Sequence, residues 1–394
     1  MKKQLLFMAM AGLFTTIASA TDLYVRDFGA GGAYPTISAA ITAASNGDRI
    51  IIKPKSGGVP YLENLTIDKS LTFVSENNFA KYIVQGSISI TPFAGRVVTI
   101  NNLSLTNNIA ISDETIGGRT TVNVFNSTVN AVSARQLNST LNVSGCVVNS
   151  IIALYHGRIT GNKCLQIEID NQGIDTNPAT DDIELIANAI TSTGAGIVMD
   201  QKNYAFKILN NFLTSSQVSI SSLKTGSNNE IRNNVINNGL TSAISINLAS
   251  GGTGFISILN NILTSSSSSG TYAEIQNVSG VATASVYAFY NMSASGFTTI
   301  GVTSASNNIG NAIISINTAS YTTTGANSNA GYPEDEYADI DLTRNDIGNF
   351  GGSDSWSNYW PAASNKPQVN YLNTPRRIYS GTTTMNATGA GNSK

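Results

Sequence analysis

One stretch of this 394-residue chain places residue types capable of acid–base and electrostatic chemistry at close spacing. It lies within 155–207 and contains Arg158, Lys163, Glu168, Asp170, Lys202 and Lys207, together with Asp175, Asp181 and Asp182 in the long turn from Asn171 to Asp182; the one histidine, His156, has no carboxylate nearby in sequence. A base beside cations and carboxylates is the equipment for removing a proton next to a carboxylate, with or without a divalent cation to hold the developing charge. Arg158, Lys163, Asp170 and Lys202 form the candidate set. The plainer alternative is a solvated loop with surface charges. A second group, Asp339, Asp341, Thr343, Asn345 and Asp346, offers oxygens at mostly alternating positions, as a calcium loop does. Arg344 stands where an EF-hand loop needs glycine, and Phe350 stands where it needs a bidentate glutamate. That favours a structural role over metal, with Arg344 pairing one of the aspartates.

The elements that must position these residues are repeats. Short apolar runs flank an Asn or Gly again and again, at Asn102, Asn126, Gly145, Asn162, Asn188, Asn211, Asn234, Asn261 and Asn291. The spacing centres on about 23 residues, and the runs are short, rich in β-branched residues and bounded by Ser, Asn and Gly, which is strand punctuation. Leucine-rich and hexapeptide repeats do not fit. The expectation is an all-β, right-handed parallel β-helix with one coil per repeat. Asn tolerates the left-handed backbone that a sharp bend needs. With coils about 4.8 Å apart, equivalent side chains can bond to one another up the stack.

A solenoid exposes its core at its ends and needs a cap. Ile37, Ala40, Ile41 and Ala44 fall at helical spacing between Thr36 and Asn46-Gly47, so a capping helix is expected over about 36–46. The segment Leu23 to Asn77, through Phe28-Gly29-Ala30-Gly31, Tyr34-Pro35-Thr36-Ile37, Gly47-Asp48-Arg49-Ile50, Tyr61-Leu62-Glu63-Asn64 and Leu71-Thr72-Phe73, resembles the opening coils of the pectin-lyase-like superfamily, nearest to pectin methylesterases and secreted bacterial β-helix proteins. Asp339-Ile340-Asp341, Arg344, Asp346-Ile347-Gly348 and Phe350-Gly351-Gly352 resemble the closing segment of such proteins, here about 334–360. The resemblance implies the fold rather than an activity. The paired aspartates of the esterases and the Gly-His-Gly of the polygalacturonases have no counterpart here.

Lys2-Lys3, the apolar stretch Leu5 to Ile17 and Ala18-Ser19-Ala20 read as a signal peptide over residues 1–20, so the β-helix of 21–360 is expected outside the cell. The tail, 361–394, reads as a linker with one edge strand near Lys366 to Leu372. A formal net charge of -2 with only 12% charged residues argues against a nucleic-acid partner, and no later segment has the length to span a membrane. For Cys146 and Cys164 two readings stand, a single bridge or two buried thiols. The functional expectation is a non-catalytic surface, adhesin-like or carbohydrate-binding protein, with a polysaccharide or cell-surface glycan as partner and no cofactor. The alternative implied by the resemblance is a polysaccharide lyase acting on an acidic chain, for which Ca²⁺ would serve as cofactor.

Overall fold

The computed structural model describes residues 20–77, 80–112, 118–170, 173–175, 178–239, 241–248, 253–265, 272–279, 284–360, 368–373, 384 and 388–392. The leader expected at 1–20 therefore lies outside the described residues except for Ala20, and the serine tract after Ser265 lies outside them as well.

Three parallel sheets form a solenoid. Sheet A has 13 strands from Asp22–Val25 to Ser304–Ser306, sheet B has 9 from Tyr82–Val84 to Ile262–Thr264, and sheet C has 11 from Leu65–Ile67 to Thr299–Ile300. From Val97–Asn101 onward, a complete coil contributes one strand to A, then B, then C. Alternation along each strand explains the packing: in Ala284–Phe289, Ala284, Val286 and Ala288 are buried and the residues between them are half-exposed. The inward side chains of all three sheets merge into one continuous apolar core. Helix α1 (Ile37–Ala43) begins where the Thr36 hydroxyl accepts a bond from the Ala39 amide, and it buries Ile37, Ala40 and Ile41 in that core.

The corner between sheets A and B separates two roles that the sequence repeat merges. One residue there takes a left-handed conformation, with φ of 58° at Asn102, 44° at Asn126, 63° at Gly145, 62° at Gly161, 53° at Ala187, 55° at Asn210, 56° at Asn233 and 56° at Asn260. The residue after it turns inward and bonds along the stack. Asn162, Asn188, Asn211, Asn234, Asn261, Asn291 and Asn308 form six consecutive amide-to-amide bonds of 2.9–3.0 Å. Each Oδ1 also accepts the backbone N–H of the ladder residue one coil earlier, as Asn211 does from Asn188 at 2.9 Å. Asn102, Asn126 and Gly145 sit one position earlier, in the left-handed bend, outside this inner ladder, although Asn126 Nδ2 donates to Asn102 Oδ1 of the preceding coil at 2.6 Å. Ser127 and Cys146 occupy the ladder position in their coils, with Ser127 N–H on Cys146 Sγ at 3.3 Å and Cys146 N–H on Asn162 Oδ1 at 2.9 Å. The division has a physical reason: a side chain aimed into the stack needs ordinary backbone, and the preceding residue absorbs the bend.

Both cysteines are unbridged and buried, and loss of solvent pushes their thiols up, Cys146 to about 11 and Cys164 to about 12.

The segment expected to close the solenoid runs along its flank instead. Residues 312–360 lie against the corner between sheets A and B, where Ile347 and Trp356 are buried with Ile186, Leu209, Phe212, Val235, Ile262 and Met292 in a second apolar cluster. The left-handed asparagines pin this strap. Asn210 donates to Asn349 O at 3.1 Å and Gly351 O at 2.6 Å, Asn233 to Asn345 Oδ1 and Asp346 O at 2.7 Å each, and Asn260 Oδ1 accepts from Tyr332 N–H at 2.8 Å. Trp360 donates to Ala187 O at 2.8 Å. Gly351 is required by contact, since a Cβ there would stand 1.9 Å from Asp346 O and 2.4 Å from Asn233 Nδ2. Farther on, Gln368–Asn373 and Thr388–Asn392 pair antiparallel, so the tail expected to be linker contains a second strand.

Candidate functional site

The outer face of sheet A carries one unbroken row across the coils. In register it reads Thr72, Thr99, Asn123, Asn142, Arg158, Glu184, Lys207, Glu230, Ser257, Tyr287, Ser304. Parallel pairing without slippage stacks each of these on the next, and the side chains bond accordingly. Asn123 Nδ2 donates to Thr99 Oγ1 at 3.1 Å and Asn142 Nδ2 to Asn123 Oδ1 at 2.9 Å. Arg158 Nε lies 3.1 Å from Glu184, and Lys207 Nζ lies 3.8 Å from Glu184 and 2.9 Å from Asp182.

Walls stand on both sides of the middle of this row. The strap covers the strand ends next to it: Ile186 and Leu209 are buried under it, and Arg232 is paired with Glu230 at 2.6 Å and lies 5.4 Å below the Tyr337 ring. The insertion before Ile183–Ile186 forms the other wall. Asp175, whose side chain has no exposure, accepts from Arg119 at 2.9 Å and from the Tyr204 hydroxyl. Arg119 also donates to Tyr204 Oη at 2.9 Å, and the Ala179 amide donates to the same oxygen at 3.2 Å. The sheet floor and the insertion line a cleft of about 290 Å³, with Thr140, Asn142, His156, Arg158, Asp181, Asp182, Glu184 and Lys207 among its residues.

His156 is nearly buried there, and desolvation lowers it to about 4. Its Nε2 is 3.1 Å from Asp181 O and its Nδ1 is 3.2 Å from Thr140 Oγ1. A carbonyl oxygen only accepts, so Nε2 carries the hydrogen and Nδ1 accepts from the threonine. The neutral ring thus ties floor to wall with both nitrogens occupied.

The four residues first singled out do not converge. Arg158 is on sheet A in the cleft. Lys163 points out from sheet B, Asp170 follows the sheet C strand Gln166–Ile169 and pairs Arg135 at 3.1 Å, and Lys202 is exposed after the sheet C strand Ala195–Asp200. Neighbours in sequence land on different sheets because a coil turns through all three within about 23 residues. Cleft residues come instead from successive coils: Asn142, Glu184 and the row itself become visible only after the repeat is aligned and strand alternation is applied.

Asp339 and Asp341 hold the strap. Asp339 accepts from Gly352 N–H at 2.5 Å and Asp346 N–H at 3.2 Å, with burial raising its carboxyl, while Asp341 accepts from the Thr343 hydroxyl at 2.7 Å, which lowers it. Arg344 donates to Gly331 O at 2.7 Å rather than to an aspartate. Among the described residues no cluster of three or more metal-ligating side chains occurs, and no helix is long and apolar enough to cross a membrane.

No protein-family profile matches the chain, and no curated protein or solved structure shows significant similarity to it. What can be stated of its class is a parallel β-solenoid carrying a walled trough on its longest sheet.

Proposed function

We propose that this protein is exported through the leader at 1–20 and winds right-handed, as in the pectin-lyase-like superfamily. In this reading it holds a neutral polysaccharide in the sheet A trough without cleaving it, as a surface or adhesin-like glycan-binding protein. The observation that carries the reading is the row itself: a straight track of hydroxyls, amides and mutually paired charges with a repeat close to the length of one sugar. A chain of neutral sugars needs many short polar contacts and a few apolar ones. The polar end of the track is Thr99, Asn123 and Asn142. The apolar end is an aromatic bay in which Phe255 and Tyr287 lie with ring centroids 6.4 Å apart and planes within 20°, and Phe289 sits 6.3 Å from Tyr287. Such rings offer flat apolar area to a pyranose face. Against catalysis stands the engagement of both nitrogens of His156 and of Arg158 by Glu184.

The test is affinity electrophoresis of the exported protein through gels containing neutral or uronate polysaccharides, with and without Ca²⁺, alongside ultraviolet detection of unsaturated products. Retardation by at least one neutral polysaccharide is expected, weakened about tenfold in Tyr287→Ala, as the loss of one good aromatic contact implies. No retardation by any polymer would overturn the proposal, and accumulating unsaturated product would replace it with the lyase reading.

A further inference from the structure

We infer that Asp182 and Glu184 form an electrostatic filter that keeps acidic polysaccharides out of the trough. The inference rests on the glycan-binding reading and adds its selectivity. The two cations of the cleft, Arg158 and Lys207, are those that would hold a uronate carboxylate. Glu184 stands between them in register, 3.1 Å from Arg158 and 3.8 Å from Lys207, and Asp182 takes Lys207 at 2.9 Å. With Asp181 also lining the cleft, three carboxylates face two cations, so an incoming carboxylate meets like charge in place of an unengaged partner.

The arrangement is built into the fold. Glu184 is fixed by the sheet register. Asp182 belongs to the insertion, yet its backbone is held on both sides: Asp181 O accepts from His156, and Ile183 N–H donates to Ala205 O at 2.9 Å. The buried Asp175 latch holds the rest of the same wall. The last residue of the insertion and the second residue of the strand that follows it thus deliver carboxylates to the same ammonium group.

Asp182→Asn, Glu184→Gln and the double variant test the filter. Asp182 is about one-third exposed, so its amide variant should fold, and thermal midpoints and far-ultraviolet circular dichroism check this for all three. In polygalacturonate gels at low salt, where the Debye length is about 30 Å at 0.01 M, the wild-type protein should run unretarded. The double variant should gain about tenfold or more in retention, lose the gain at about 0.5 M salt, and lose it again when Lys207→Gln is added. A folded double variant with no gain, or a wild type already held as tightly, overturns the filter. A neutral-polymer gel run in parallel separates the two ideas: if wild type ignores every neutral polymer while the double variant gains uronate binding, the filter stands and the neutral-glycan reading falls.

Discussion

The outer row of sheet B passes through two regions of opposite character. In the early coils it reads Ser104, Thr128, Val147, Lys163, and these face solvent or are half-exposed. In register it continues as Ala189, Phe212, Val235, Ile262, Met292, all buried beneath the strap. Backbone, sheet and ladder are the same in both regions. A solenoid coil, then, does not fix what its outer face does; one side-chain position per repeat decides whether the flank is surface or interface. Three of the strapped coils, at Asn210-Asn211, Asn233-Asn234 and Asn260-Asn261, carry Asn-Asn pairs in which the first amide reaches out to the strap and the second reaches in to the ladder. In the early coils the bend residues are Asn102, Asn126, Gly145 and Gly161, and Asn126 donates to Asn102 in place of a strap carbonyl.

The contrast is broken most directly by moving the early residue type into the late region. Val235→Lys, copying Lys163, would bury an unpaired ammonium under the strap at a cost on the order of 4 kcal/mol, or expel the strap. Val147→Lys in the open region should change stability by no more than about 0.5 kcal/mol. Urea denaturation measures both, and proteolysis within 334–360 detects the expelled strap; equal effects at the two positions would show that the regions do not differ in the way described.

A smaller effect separates wall from floor. Burial depresses His156 from 6.5 to about 4, so the folded state binds fewer protons than the unfolded one. Its contribution is complete above pH 6.5 and is lost as the pH falls from there toward 4, up to about 3 kcal/mol. His156→Gln should flatten that part of the stability–pH curve, which the difference between the two curves measures. An unchanged slope would mean that the ring is not the titrating group.

The smallest test sharpens the difference between the two amides of one pair. Asn234→Ala removes a ladder member and leaves buried neighbours unpaired, costing about 2 kcal/mol. Asn233→Gly keeps the left-handed bend and loses only the strap bonds, about 1 kcal/mol. Thermal midpoints of the two variants should rank in that order, and the reverse ranking would assign the dominant role to the strap.

Much of this was legible in the sequence, and the limits are instructive. The repeat of short β-branched runs around Asn indicates a parallel solenoid, because only stacked strands use that spacing and punctuation. The phase of the ladder was not legible: Asn102 and Asn126 look like Asn162 and Asn188, and only φ distinguishes a bend from a rung. The strap left a signal that alternation alone exposes. Phe212-Leu213, Val235-Ile236 and Ile262-Leu263 each place two large apolar residues side by side on a strand, so one of each pair must face outward and demands a cover.

The sequence alone determined the sheet content, the coil and the inward-facing core, since each follows from local alternation and a repeat that every coil obeys by itself. Only the tertiary structure decided which charges share a cleft and where the C-terminal segment lies. Those depend on register between coils and on contacts spanning more than a hundred residues, such as Asn233 with Asn345, and no local pattern encodes them.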